Sequence, residues 1–241
     1  MDIVNAMSKQ VRKVRLTTDP AVCLSGGIDS CVLLHHVIND LVGGDSSKVH
    51  TFVAKFGTEH DETKKARKVA DHYGVDHTEV GITKDKMMEM YHVALKDYSF
   101  PRFNLWEWFL IESADDKGLK DFFIGEGSDE LFGYSDRGFL DGWAGHLEWV
   151  WPSWKVGCDH YGMTLHAPFR ELQDFSKVPI TEFYNPPYKA HLREAYKGII
   201  PDFVVQQPKN PPSHAYYAMM GMTRDEIQVE VAKIWLKIRN L

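Results

Sequence analysis

The sequence predicts an α/β protein with a doubly wound parallel sheet and a helical C-terminal part. Two observations carry the sheet. Short apolar runs that suit buried strands alternate with stretches whose apolar residues recur at helical spacing. Two of those runs, 21–24 and 122–124, break into loops of small residues, the feature that open parallel sheets use to hold ligands at the carboxyl ends of their strands.

In chain order, Ile3, Val4, Met7, Val11 and Val14 recur at three- and four-residue spacing and predict a helix ending before Thr17-Thr18-Asp19-Pro20. The first strand covers 21–24. A helix over 31–38 follows the Ser25-Gly26-Gly27 loop, with Val32, Leu33, His36 and Val37 on one face, and Gly43-Gly44-Asp45 closes it. Residues 49–56 make the second strand. The helix over 60–73 has the stripe Ala66, Val69, Ala70 and Tyr73 and stops at Gly74; Lys64, Lys65, Arg67 and Lys68 form its solvated face, and His72 and His77 are expected at the surface. A third strand over 76–80 precedes a helix opened by Thr83, whose Met87, Met88, Tyr91 and Leu95 suit core packing. The loop 98–104 opens a helix containing Leu105, Trp108 and Phe109, and 122–124 is the fourth strand. Trp143, Trp149, Trp151 and Trp154 suggest a helical cap packing aromatics over the sheet edge. Thr223-Arg224-Asp225-Glu226 is a capping box that opens a last helix with Ile227, Ile234, Trp235 and Ile238 on one face. The 241 residues suit one domain over 1–241, with its core at about 17–136 and a helical cap portion at about 137–241.

The loop Ser25-Gly26-Gly27-Ile28-Asp29-Ser30 has the makings of a phosphate cradle: small residues let backbone N–H groups converge on an anion at the positive end of the following helix. It carries no Lys followed by Ser or Thr and does not match G-x-G-x-x-G. Asp29 stands where a cation would be expected, so a divalent metal must neutralise both acid and phosphates, which points to Mg-ATP releasing pyrophosphate. An ordinary strand-to-helix turn capped by Asp29 is the plainer alternative. The second loop, Gly125-Glu126-Gly127-Ser128-Asp129-Glu130-Leu131-Phe132-Gly133-Tyr134, is loaded with acids yet lacks the spacing of a calcium loop. If both loops lie at the same sheet edge, Asp29 and Asp129 stand on two sides of one nucleotide as ligands for Mg2+.

Together, SGGIDS and GEGSDELFGY resemble the synthetase domain of glutamine-hydrolysing asparagine synthetases, part of a wider set of adenylating enzymes with an ATP-pyrophosphatase loop. The resemblance runs from the N-terminal helix to about residue 212, weakly over 138–162, and implies a doubly wound sheet of the adenine nucleotide alpha-hydrolase-like kind. It implies that the first and fourth strands lie side by side, that the backbone around Leu24, Ala54 and Gly125 holds adenine, and that Ser25, Gly26, Gly27 and Ser30 hold phosphates. It implies catalytic roles for three residues. Glu126 is the general base that takes protons from the attacking amine, Arg102 falls opposite an Arg that contacts nucleotide or intermediate, and Lys209 covers the departing pyrophosphate. Lys189, opening the Lys-Ala-His-Leu-Arg-Glu segment, joins the ATP- and pyrophosphate-binding set. The chain departs from the family at 166–171, where His-Ala-Pro-Phe-Arg-Glu replaces an Arg, apolar, Pro, Phe, Leu, Asp pattern, and at Gln207, which stands in an Arg place.

The expected reaction is adenylation of an aspartate-like carboxylate and transfer to ammonia, giving an asparagine-like amide with ATP and Mg2+ required. The similar β-lactam synthetases carry Tyr at the place of Glu126, so the acid favours ammonia over ring closure. Other carboxylate–amine ligation, ATP-dependent modification of RNA or another macromolecule, and a non-catalytic ATP-binding subunit stay open. A formal net charge of −6 argues against nucleic acid as a partner. Three cysteines without a C-x-x-C pair suggest neither a zinc site nor disulfides and fit a reducing, cytoplasmic setting, and no signal peptide or membrane segment is evident. Because Asp2 follows Met1 where a glutaminase domain would start with a nucleophilic Cys, ammonia is expected to come free or from a separate glutaminase subunit; a homo-oligomer stays open.

Overall fold

A computed structural model describes residues 2–133, 150–172, 188–207 and 213–240. Its centre is a five-stranded, all-parallel sheet in the order β3-β2-β1-β4-β5, with β1 at Pro20–Cys23, β2 at His50–Lys55, β3 at Asp76–Gly81, β4 at Asp121–Phe123 and β5 at Thr164–His166. The chain runs outward from β1 through β2 to β3 and then crosses back to place β4 on the other side of β1, so the expected neighbours β1 and β4 are paired, Ala21 against Phe122 and Val22 against Phe123. Strand order reverses at that pair, which makes the β1/β4 carboxyl edge the crevice for a ligand.

Helices cover both faces of the sheet: α1 (Ile3–Val11), α2 (Ile28–His36), α3 (Thr63–Tyr73), α4 (Lys84–Ala94), α5 (Glu107–Asp115), α6 (Ser128–Phe132), α7 (Trp151–His160), α8 (Ala190–Ala195), α9 (Asp202–Val205), α10 (Ser213–Met220) and α11 (Arg224–Arg239). Successive strand residues divide between two cores, as side chains alternating across a sheet must. Ala21, Phe52 and Phe122 pack with α4, α5, α7, α10 and α11. Val22, Val53 and Phe123 pack with α1, α2, α3, α6, α8 and α9. Among the described residues no helix is long and apolar enough to cross a membrane.

Several expectations change in detail. β5 has no counterpart in the sequence reading, because three residues with polar ends show no period; it extends the sheet into the portion read as a helical cap. His77 is buried rather than at the surface, hydrogen-bonded through Nδ1 to Thr51 Oγ1 at 2.8 Å, and burial pushes its pKa down to about 4. Trp154 packs on the sheet face, 5.9 Å from Phe122 between ring centroids, not over its edge. Trp143 and Trp149 lie outside the described residues. The predicted capping box is present at Thr223 and Glu226.

At the amino edge of the sheet, Asp121 gathers three segments. Its Oδ2 accepts from Thr17 N (2.7 Å), Thr17 Oγ1 (2.8 Å) and Thr18 N (3.0 Å), and its Oδ1 meets His166 Nε2 at 2.9 Å. Burial alone would raise this carboxyl, but His166 and the Thr17 and Thr18 donors hold it below the usual range. Asp121→Ala is expected to reduce stability in urea at pH 7 by about 2–3 kcal/mol, the worth of hydrogen bonds to a buried charge. Because the folded-state pKa is depressed, that contribution is present above the unfolded carboxylate pKa and fades as pH falls through the folded value. The wild-type and variant unfolding curves should therefore converge in acid.

Candidate active site

The loop after β1 is shaped by its own small residues. Gly26 has φ +79°, and a Cβ there would sit 2.6 Å from Ala66 N and from Lys65 C, so the loop lies directly on α3 and only glycine fits. Gly27 is the N-cap of α2 and has no side-chain cap. Its N–H donates to Ser25 Oγ (3.3 Å), its carbonyl accepts from Ser30 Oγ (3.2 Å), and the two hydroxyls are 3.2 Å apart. These bonds close the turn while the first N–H groups of the nine-residue α2 point to its amino end, the geometry that favours an anion.

The loop after β4 folds against it. A Cβ on Gly125 would be 3.3 Å from Asp29 Cβ and backbone carbon, so the second loop reaches the first by virtue of a missing side chain. Gly127, at φ +96°, turns the chain into α6. There Ser128 Oγ donates to Asp29 Oδ1 at 2.7 Å, and Lys189 Nζ lies 2.6 Å from the same oxygen, 3.2 Å from Ser128 Oγ and in an ion pair with Asp129 Oδ1. Three segments far apart in sequence thus converge on one ammonium that is only 1% exposed.

Lys189 is delivered by strained backbone. Tyr188 and Lys189 both adopt left-handed conformations, φ 49° and 58°, which L residues with side chains enter at a cost. The buried Arg193 holds them: Nε donates to Tyr188 O (2.8 Å), Nη2 to Gln207 O (3.0 Å), and Nη1 to the carbonyls of Val204 and Val205. One guanidinium therefore fixes the segment before α8 and the residue immediately preceding 208–212. Lys209 lies outside the described residues.

A second group of charges sits beside the ion cluster. Glu126 is half-buried in the loop between Gly125 and Gly127. Arg102, 5% exposed, donates to Ser153 Oγ at 3.2 Å and lies over the rings of Phe100 and Tyr98 at 5.1 and 5.6 Å. Its loop is pinned by carbonyls: Phe103 O accepts from Tyr91 OH (2.5 Å) and Tyr216 OH (2.9 Å), and Tyr98 O from Trp235 Nε1 (3.1 Å) and Arg239 Nη2 (2.7 Å). Glu107, the first residue of α5, is 7% exposed, and burial, with the charge of Glu126 adding to it, pushes its carboxyl up to about 8. Cys23 at the end of β1 feels the same field; burial first, then Glu126 and Glu107, push its thiol pKa upward, so it is no nucleophile near neutrality.

Between these groups and α3 opens a largely apolar cleft of about 400 Å³, including its open mouth, lined by Cys23, Ser25, Val53, Ala54, Phe56 and Trp106. Ser25 and Ala54 thus face one cavity. Leu24 contributes differently: its side chain is buried in the opposite core and its N–H donates to Phe52 O at 2.9 Å. In the 166–171 segment, His166 stacks on Phe123 at 4.5 Å and turns to Asp121, away from the carboxyl edge. Arg170 instead crosses over Gly127, with its guanidinium 3.6 Å from the Trp151 ring.

The structure thus brings Asp29, Gly125, Asp129 and Lys189 into contact, and places Ser25 and Ala54 on the cleft. Arg102 and Glu126 are linked through the field around Glu107. The sequence reading missed Glu107 and the bracing role of Arg193. Glu107 had a signal, an acid alone within the apolar stretch 105–111. The bonds of Arg193 go to carbonyls, which no side-chain pattern reveals.

Asp29, Asp129 and Ser128 offer hard oxygen donors of the type that Mg2+ takes, and the Lys189 ammonium rests among them; the described residues hold no cluster of three or more His, Cys, Asp or Glu side chains placed for a metal ion. The chain is 31% identical over 140 residues to asparagine synthetase [glutamine-hydrolyzing] 3 of Arabidopsis thaliana, covering 54% of this chain and 24% of that protein. It is 29% identical over 190 residues to amidase chry2 of Gibberella zeae, covering 70% and 28%. The chain therefore spans about a quarter of the length of the curated relatives it matches. Among solved structures it is similar to the U34-tRNA thiolase NcsA of Methanococcus maripaludis with its [4Fe-4S] cluster, at 13% identity and a TM-score of 0.45 over 99% of this chain and 79% of that one. The family model for asparagine synthase matches residues 4–184, well over half of the chain, and the protein accordingly belongs to the asparagine synthase family.

Proposed function

We propose that the protein is an ATP-dependent carboxylate–ammonia ligase that activates an aspartate-like acid as its adenylate and converts it to an amide. The observation that carries this reading is the convergence of Asp29, Asp129 and Lys189, from three segments, at the strand-order reversal beside a glycine-shaped anion loop. A carboxylate is a poor acyl donor, so a substrate carboxylate oxygen attacks the α-phosphorus of ATP and the bond to the pyrophosphate oxygen breaks. Ammonia then attacks the acyl carbon, a proton passes to Glu126, and AMP departs.

Within this reading, Ser25, Gly26, Gly27 and Ser30 bind phosphates with the amino end of α2, and the cleft lined by Ala54 takes the adenine. Mg2+ held by Asp29 and Asp129 would neutralise polyphosphate charge. Lys189 and Lys209 serve the leaving pyrophosphate, and Arg102 orients the nucleotide or adenylate. Nitrogen arrives as free ammonia or from a separate glutaminase subunit. In support, burial pushes the Cys23 thiol pKa upward and those of Cys31 and Cys158 to about 12, which disfavours glutamine cleavage or thiolation at any of them. The amidase-like relative and the altered 166–171 segment favour a carboxylate other than aspartate itself: the position of the family's Arg is held by His166, which is tied to Asp121.

Two measurements test the assignment. Asp29→Asn and Asp129→Asn are each expected to lower Mg2+-dependent pyrophosphate release, assayed over a panel of carboxylic acids with ammonium, by about 100-fold or more while circular dichroism stays unchanged; normal release by both removes the metal assignment. Glu126→Gln should lower amide formation by about 100-fold while pyrophosphate release falls far less. Parallel losses would deny Glu126 the role of base.

A further inference from the structure

Glu107 is a buried carboxyl with no role in the scheme above. Among the described residues its Oε2 has no hydrogen-bond partner, and the residue opens α5 directly after Trp106, which lines the cleft with Ser25. An ionised carboxylate cannot rest in such a place without a partner; it keeps its proton instead. Among the described residues, the titratable groups that act on its charge or feel it are Glu126 after β4, Arg102 from the loop before α5, Tyr91 from α4, Tyr98 from the turn beyond α4, Tyr216 from α10 and Cys23 from β1. Burial pushes the three phenols and the thiol upward, so they stay neutral through mildly alkaline solution. The remaining two, Glu126 and Arg102, are the groups that the proposed reaction uses.

We propose that Glu107 is a positioning residue that works as a neutral acid: by keeping its proton it leaves Glu126 as the ionised member of a carboxyl pair. Two carboxyls in one low-dielectric region do not ionise together at little cost, so their environments divide the roles; the more buried one holds the proton and the half-exposed one is the base. When Glu107 ionises, a second negative charge acts on Glu126 and on the anionic adenylate. Amide formation then falls in alkali through a group that touches neither substrate nor nucleotide. This inference rests on the ligase reading for its kinetic consequence, but the protonation of Glu107 stands apart from it.

The kinetic test uses hydroxylamine as the acceptor amine, because its nitrogen is already unprotonated between pH 7 and 9. Wild-type hydroxamate formation at pH 9 is expected at about a tenth of its pH 7 value, one unit above the buried carboxyl, and the pH 9 to pH 7 ratio should rise about tenfold in Glu107→Gln, the neutral isostere. Parallel alkaline declines in the two proteins would overturn the proposal, whereas a merely structural role for Glu107 would lower both rates without moving the limb. A second measurement needs no variant and no turnover: in protein labelled with carboxyl-13C glutamate, one carboxyl resonance should remain protonated at pH 7 and titrate at about 8. Finding every glutamate ionised at pH 7 would overturn the proposal, including in the event that Glu107→Gln does not fold. Failure of the wild type to form any hydroxamate or amide would count against the ligase reading instead, and the resonance would still decide the state of Glu107.

Discussion

The ammonium of Lys189 holds two carboxylates that would otherwise repel each other. Asp29 sits in the first turn of α2 and Asp129 in the first turn of α6, and each helix follows a strand that ends at the β1/β4 reversal. Without a cation between them the two loops would carry like charges across a gap that Gly125 has closed to van der Waals contact. Burying an ion is costly, but Lys189 has three donors and three oxygens around it, so the cost is met by contacts that simultaneously fix the site.

That arrangement depends in turn on how Lys189 is delivered. A side chain 1% exposed between two loops must enter along one path, and the path here runs through two successive left-handed residues. Such backbone persists only where its surroundings over-determine it. Arg193 does so from one turn further along, with bonds to the carbonyls of Tyr188, before α8, and Gln207, after α9. Its planar fork suits several carbonyls at once, which a lysine ammonium on a flexible stem would not match.

The charges near Glu126 follow a different logic. Around Lys189 opposite charges are paired; around Glu107 like charges are kept apart by leaving one of them neutral. The loop carrying Arg102 is pinned as well, its guanidinium held by Ser153 and lying over two aromatic rings. Four donors on the carbonyls of Tyr98 and Phe103, two of them from α11, tie the C-terminal helix to that loop.

Much of this was legible in the chain. Alternating apolar runs and helical stripes determined the parallel α/β fold, and two glycine-containing loops of opposite character marked the edge where ligands go, because strand and helix periods and the needs of tight turns are local properties of sequence. The capping box at Thr223 and the stop at Gly74 were visible for the same reason. β5 was not, since three residues carry no period and the strand exists only because Asp121, Phe122 and Phe123 present an open edge to it. Nor could spacing reveal that His77 would be buried against Thr51, that His166 would turn to Asp121, or that Lys189 would lie between two acids 160 and 60 residues earlier. The residue types at the site were set by the sequence; their charge states and partners were decided only when the fold removed water from around them, because the energy of a buried charge depends on what surrounds it and not on where it stands in the chain.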